Sequence, residues 1–277
     1  MTDARTCLDL LRTADPDRYL ACLWLRGDWR DPISALYAFN AEITRIPSLV
    51  SEPAPGEIRL QWWREVIGGE RDSGDHPVAV ALLKAIERHD LPVASFDAYL
   101  EARIFDLYHD PMPDRAMFEA YAGETASALL VLAAQCAGAE RSTQLADACG
   151  HGGVAQIVAA VLRALPMHRR MQRCYIPADI LTVYGLNART WLDEKPDERH
   201  LNVLIAMTAW GHAHLEKSRG AISGLPVRLK PVFLPLAAVG TYLERTGRKG
   251  LRVLSEPLDI SPLGRQFLFA RAALLGR

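Results

Sequence analysis

The chain has 277 residues, 49% of them hydrophobic and 23% charged, with a formal net charge of -1. This is the balance of a globular protein with one sizeable core, and it excludes a general electrostatic nucleic-acid binder, which needs a basic surface or stripe. The five cysteines, Cys7, Cys22, Cys136, Cys149 and Cys174, are scattered and never fall at CxxC spacing, so no disulfide framework or zinc site is indicated and a reducing compartment fits.

The N-terminal stretch MTDARTCLDLLRTADPDRYL interleaves acids with bases and has no signal-peptide apolar core; it reads as mature, cytoplasmic sequence. Apolar residues recur at spacings of three and four, which predicts helices over 3–13, 17–25, 31–48, 56–68, 77–88, 94–109, 114–137, 141–163, 178–184, 198–220, 229–246 and 261–275. Breaks fall at turn formers such as Asp15-Pro16, Gly68 to Pro77, Pro166, Gly185 to Asn187 and Gly247 to Gly250. None is long enough to be a linker, so one all-α domain over 1–277 is expected. No apolar run reaches the roughly 20 residues of a bilayer span. The nearest, VFLPLAAVGTYL, contains a proline.

Three helices carry a face too small or too polar for an ordinary core. Tyr37, Ala41, Thr44, Arg45 and Ser48 share one face, and Tyr121, Glu124 and Ala128 share another. In QIVAAVLRALPMHRR, a helix expected to stop at Pro166, Gln156, Ala159, Ala160 and Arg163 align. These faces imply an internal cavity or a buried polar network, with Glu124 as the expected partner of Arg163 or Arg45; the plainer reading makes Arg163 a structural arginine paired inside the bundle. His168, Arg169, Arg170 and Arg173 follow the proline. They either neutralise the helix's free carbonyls or form an anion site at the cavity mouth for a phosphate, diphosphate or lipid head group, and Tyr175 joins the cavity candidates. At least one of Trp62 and Trp63 belongs to the core. His212 and His214, two apart on a helix, point in different directions and make no metal pair. Nucleophile elbows, Walker loops and GxGxxG turns are absent.

The segments LYAFNAEITRI, GEIRLQWWREVI, ARIFDLYHDPM, YAGETASALL, GVAQIVAAVLRALPMH followed by YIPADIL, and PVFLPLA occur in the order and spacing of the squalene/phytoene synthase family, over about residues 15–245. The resemblance implies the all-helical isoprenoid synthase fold, a helical bundle around a central cavity. In that family two aspartate-rich motifs on facing helices hold magnesium, which binds the prenyl diphosphates and helps them leave. This chain departs from the pattern there. AFNAEITRIPS puts Thr44, Arg45 and Ser48 where the first motif's aspartates belong, and Val154 to Pro177 contains no acid, with Ala159, Arg163 and Met167 at or near the second motif's positions.

The variants AFNAEI, EIRLQWWR, YxGETASAL and AQxIVxxxLRAxPxH resemble the branch of the family that includes the mitochondrial complex I assembly factor. That resemblance implies a non-synthase with no catalytic residue and no cofactor, acting as a binding or assembly factor. Its expected partners are an isoprenoid, diphosphate or lipid in the cavity and a respiratory-complex subunit. The alternative is a surviving prenyl transferase in which Arg45, Arg163, His168 and Arg169 bind diphosphate directly, and only that alternative calls for Mg2+. The expected location is the cytoplasm, extending to the inner face of the membrane. Weak peripheral contact with anionic lipid would run through Arg265, Phe267, Phe269 and Arg271 in the segment 262–277, whose apolar face is flanked by bases.

Overall fold

The computed structural model describes residues 3–275, which contain helices and turns and no strand. In chain order the described α-helices are α1 (Asp3–Ala14), α2 (Pro16–Leu23), α3 (Gly27–Leu49), α4 (Pro53–Gly68), α5 (Pro77–His89), α6 (Val93–Ile104), α7 (Arg115–Ala122), α8 (Ala128–Cys136), α9 (Thr143–Arg170), α10 (Ala178–Val183), α11 (Ala188–Asp193), α12 (Glu198–Ser223), α13 (Ala237–Lys249) and α14 (Pro262–Leu275). The ends of the expected 1–277 domain, residues 1–2 and 276–277, lie outside the described residues.

Local chemistry starts and stops the helices. Asp15 accepts from the Arg18 backbone N–H and Pro16 occupies the first turn of α2, where its missing N–H costs nothing. Gly69 ends α4 at φ 80, in the left-handed region that glycine enters without strain. α9 and α12 form the most extensive helix pair, and a Cβ at Gly211 would sit 2.9 Å from both Val158 and Leu243. Only glycine lets these helices approach so closely.

The described helices depart from the sequence expectation in several places. α9 continues through Pro166 to Arg170, although proline removes one hydrogen bond and crowds the preceding turn. Burial of Leu162, Leu165 and His168 around it holds the helix together. The expected helix over 114–137 is interrupted by a π-helical turn at Gly123–Ser127. This turn packs directly on α9, and a Cβ at Gly153 would lie 2.5 Å from the Ser127 backbone nitrogen. Finally, the segment expected as a helix over 229–246 begins as a 3-10 stretch, Val227–Leu236, in which Phe233 and Leu234 are buried, and α11 has no counterpart in the expectation.

By length and composition α9, rather than VFLPLAAVGTYL, is long and apolar enough to cross a membrane, but most of its apolar stretch is buried inside the protein. It is a core helix. The C-terminal expectation also needs correction. Phe269 is fully buried and Arg265 turns inward to Asp17, while Leu263, Phe267 and Leu274 are exposed, because α14 docks on α13 and α2 through one face.

Candidate functional site

Helices α2, α3, α9 and α13, with the segments around Asp106, Tyr175 and Asp259, line a solvent-open cavity of about 600 Å³. Along α9 its lining runs Gln156, Ile157, Ala159, Ala160, Val161, Arg163, Ala164, Met167 and His168, so one continuous stripe of that helix forms a wall. Thr44, Pro47 and Ser48 of α3 and Ala238, Val239 and Tyr242 of α13 complete much of the rest.

Two carboxylate clusters stand at this wall. In the first, Asp106 accepts hydrogen bonds from the Tyr121 hydroxyl on both oxygens at 3.0 Å and from the Tyr175 hydroxyl at 2.9 Å. Arg103 reaches Asp106 at 3.0 Å and donates to the Tyr121 oxygen at 2.6 Å. Arg173 donates to the Asp106 backbone carbonyl. Asn40 accepts from Tyr99 at 2.8 Å and from Arg103 at 3.4 Å, joining α3 to the network. Burial raises the Tyr121 and Tyr175 hydroxyls above the usual phenol range, so both stay protonated donors.

In the second cluster, Asp17 lies 3.1 Å from Arg163 and 2.8 Å from Arg265, and it accepts from the Tyr242 hydroxyl at 2.8 Å. The Arg163 guanidinium also sits over the Tyr242 ring, 4.6 Å from its centroid. Beside this cluster Arg18 is paired with Asp15 at 2.7 Å and lies over the Tyr37 ring.

The structure places Thr44, Ser48, Tyr121, Gln156, Ala159, Arg163, His168 and Tyr175 on the lining of one cavity, and of these Thr44, Ser48 and Arg163 are exposed to solvent. Other candidates lie elsewhere. Tyr37 and Ala41 are buried behind the wall, and Arg45 is exposed outside it. Arg169 donates to the backbone carbonyls of Trp191, at 2.5 Å, and Glu194, at 3.1 Å, so it caps α11, and Arg170 is exposed. Glu124 is exposed and pairs with neither Arg163 nor Arg45. The wider π turn rotates it outward and places Ala126, five residues after Tyr121, on the cavity instead. His214, in turn, pairs with His151, their Nδ1 atoms 3.1 Å apart.

Asp17, Arg18, Asn40, Arg103, Asp106 and Tyr242 were not anticipated from the sequence, and Arg265, expected at a lipid surface, pairs with Asp17 instead. Arg103 and Asp106 had a visible signal, since they are a base and an acid three apart inside ARIFDLYHDPM. Asp17 had none, because its partners lie 146, 225 and 248 residues further along the sequence (163 - 17, 242 - 17 and 265 - 17).

Arginines and aspartates line the cavity in equal number, and Arg265 adds a further base against Asp17. Arg18, Arg103, Arg163 and Arg173 line it together with Asp15, Asp17, Asp106 and Asp259. Three of the aspartates are hydrogen-bonded or ion-paired to cavity arginines, and the exposed fourth, Asp259, acts on Arg265. Burial lowers the His168 pKa to about 4, leaving a neutral imidazole whose Nδ1 is buried without a hydrogen-bond partner. Gln156 Oε1 and the Nε atoms of Arg18, Arg103 and Arg173 are buried and unpartnered as well.

Magnesium does not suit this donor set. A hard cation needs several free oxygen ligands, and the α3 and α9 side chains lining the cavity include Thr44, Ser48, Gln156, Ala159 and Arg163 and no carboxylate, while Asp17 and Asp106 are engaged by arginines and tyrosines. Among the described residues no group of three His, Cys, Asp or Glu side chains is placed to hold a metal.

Residues 11–263 match the family model described as squalene/phytoene synthase. The sequence is 32% identical over 243 residues to the Bos taurus protein "NADH dehydrogenase (ubiquinone) complex I, assembly factor 6", covering 87% of this chain and 73% of that one. It is 30% identical to the Homo sapiens protein of the same name, with the same coverage. Among solved structures, a dehydrosqualene synthase in complex with ligand superposes with a TM-score of 0.80 at 15% identity, over 99% of this chain and 97% of that one. Squalene synthase HpnC from Alicyclobacillus acidocaldarius superposes with a TM-score of 0.74 at 18% identity, over 90% and 94%.

Proposed function

Because the chain belongs to the squalene/phytoene synthase family, we propose that it keeps the family's cavity without its condensation chemistry, and serves as a binding and assembly factor for respiratory complex I. The observation that carries this reading is the cavity wall itself. Where metal-held diphosphates call for free carboxylates, three of the four cavity aspartates, Asp15, Asp17 and Asp106, are committed to arginines or tyrosines. The names of the Bos taurus and Homo sapiens relatives supply the assembly role. The prenyl transferase alternative loses support because Arg45 and Arg169 are directed away from the cavity and Arg163 is engaged by Asp17.

In this reading the protein works in the cytoplasm and at the inner face of the membrane. Leu263, Phe267, Arg271 and Leu274 share the exposed face of α14 by helical spacing, a face suited to weak contact with anionic lipid. Salt-sensitive co-sedimentation with anionic vesicles, reduced by Phe267→Glu, is the expected behaviour.

The deciding experiment has two arms. The purified protein incubated with farnesyl or geranylgeranyl diphosphate and Mg2+ gives no C30 or C40 product, and cells lacking the protein lose assembled complex I and regain it with the intact chain. Enzyme-like, magnesium-dependent product formation ends the proposal, and so does normal complex I in the depleted cells.

A further inference from the structure

A second pocket lies away from the central cavity, at the opposite end of α3 from Thr44. It is an open groove of about 400 Å³ lined by Arg26, Arg88, Arg228, Asp28 and His89, with Trp29 and the last residues of α8 completing it. Three arginines meet one aspartate there. Asp28 lies 3.7 Å from Arg26 with both side chains more than half exposed, and among the described residues Arg88 and Arg228 have no ion-pair partner.

Local helix chemistry accounts for only part of this collection. Arg88 belongs to the last turn of α5, where a base offsets the negative end of the helix. Arg26 is at the wrong end for that role. It occupies the N-cap of α3, a helix of 23 residues, and supplies no side-chain cap. The N–H groups of an uncapped first turn lack a partner, and a base beside the positive end of a helix is repelled by it. A Cβ at Gly27 would meet nothing within 4 Å, so no protein group covers this turn at that residue. An anion at the groove relieves both costs, and a phosphate suits the arginine fork as well as the helix end.

The flanks indicate what carries that phosphate. Leu23 and Trp24 close α2 just before Arg26 and are 43% and 42% exposed, and Val227, 77% exposed, directly precedes Arg228. α2 packs on the 3-10 stretch that begins at Val227, so these apolar side chains stand on adjoining elements beside the arginines. A soluble phosphate gains nothing from exposed leucine, tryptophan and valine. A phospholipid does, because they enter the boundary between head groups and acyl chains while the bases meet phosphate.

We propose that this groove binds the phosphate of an anionic phospholipid through Arg26, Arg88 and Arg228, with Leu23, Trp24 and Val227 seated at the head-group boundary. The site is separate from the central cavity. It rests on the proposed location at a membrane and adds a head-group contact to the α14 face, which is built on the same part of the fold because α14 also packs on α2 and on the 3-10 stretch.

Phosphatidylcholine vesicles carrying either phosphatidylglycerol or oleate, matched in surface potential, separate an anionic phosphate from negative charge alone. The full-length protein is expected to bind the phosphatidylglycerol vesicles several-fold tighter. Arg88→Gln combined with Arg228→Gln should weaken that binding about tenfold or more, as the loss of two bases at the lipid surface implies. Arg59→Gln combined with Arg141→Gln removes the same charge at exposed positions elsewhere and should weaken it less than about twofold. Trp24→Ser should weaken it several-fold, and glycerol phosphate, which offers the phosphate without acyl chains, should compete poorly. All these side chains are exposed, so each variant should keep the wild-type helical spectrum.

Equal binding to both kinds of vesicle, or wild-type affinity in the Arg88 and Arg228 variant or in Trp24→Ser, overturns the inference. Glycerol phosphate binding as tightly as the vesicles overturns it too, by assigning the groove to a soluble phosphate. Absence of any vesicle binding by the intact protein breaks both this site and the proposed location, whereas binding lost in Phe267→Glu and unchanged in the arginine variant breaks only this site.

Discussion

Two of the carboxylates at the cavity wall, Asp106 and Asp17, are held in different ways. Asp106 is gripped by Arg103 three residues before it, by Tyr121 fifteen after and by the more distant Tyr175, and both members of its ion pair are under 10% exposed. Asp17 gathers Arg163, Tyr242 and Arg265 from α9, α13 and α14, and one of those partners, Arg163, keeps 43% of its side-chain surface exposed. The first cluster is therefore a dry internal strut, and the second is a clasp that ties distant helices together beside water. The same charge pairing is worth more in the first place than in the second, because water can replace a lost partner only at the clasp.

Asp106→Ala tests the strut and should give the largest effect. It strands Arg103 in the interior, and breaking one side of a buried pair costs about 3 to 5 kcal/mol. Chemical denaturation measures this directly, and a loss below about 1 kcal/mol would mean that water reaches Arg103 and that the two clusters are alike.

Acidification probes the same region through His168. Its pKa is about 4 in the folded protein, against about 6.5 in an unfolded chain. The unfolded state thus takes up the proton first. The stability tied to the neutral ring is present above about pH 6.5 and is lost as pH falls towards 4, by about 3 kcal/mol in all. His89 and His214, also lowered by burial, act in the same direction, so the difference between wild type and His168→Phe isolates the ring. A variant whose stability falls as steeply as wild type over that interval would show that His168 is solvated.

The clasp should give smaller and asymmetric losses. Asp17→Ala removes the partner of Arg265, whose side chain is only 14% exposed, and the acceptor of Tyr242, a loss of about 2 kcal/mol. Arg163→Ala, at a half-exposed side chain, costs about 0.5 to 1 kcal/mol, and Glu124→Ala stays within about 0.5 kcal/mol. Equal losses for Asp17→Ala and Arg163→Ala, read from urea midpoints, would show that the pair acts as a closed unit and not as a clasp open to water.

The sequence by itself determined the class of fold and one wall of the site. Helical periodicity depends on neighbours within a turn or two, so the helices, their small-residue faces and the alignment of Gln156, Ala159, Ala160 and Arg163 were all legible. The absence of any acid from Val154 to Pro177 was equally plain in the one-dimensional pattern. Tertiary packing decided the rest. A single π turn rotated Glu124 into solvent, burial carried α9 past Pro166, and docking of α14 turned Phe269 and Arg265 inward. Asp17 looked like an ordinary first-turn acid of α2 until folding brought three partners to it from more than a hundred residues away. The physical reason is range. A backbone hydrogen bond in a helix joins residues four apart and leaves its trace in local spacing, whereas the partner of a buried charge is chosen by whichever helices pack together, and local spacing carries no record of that choice.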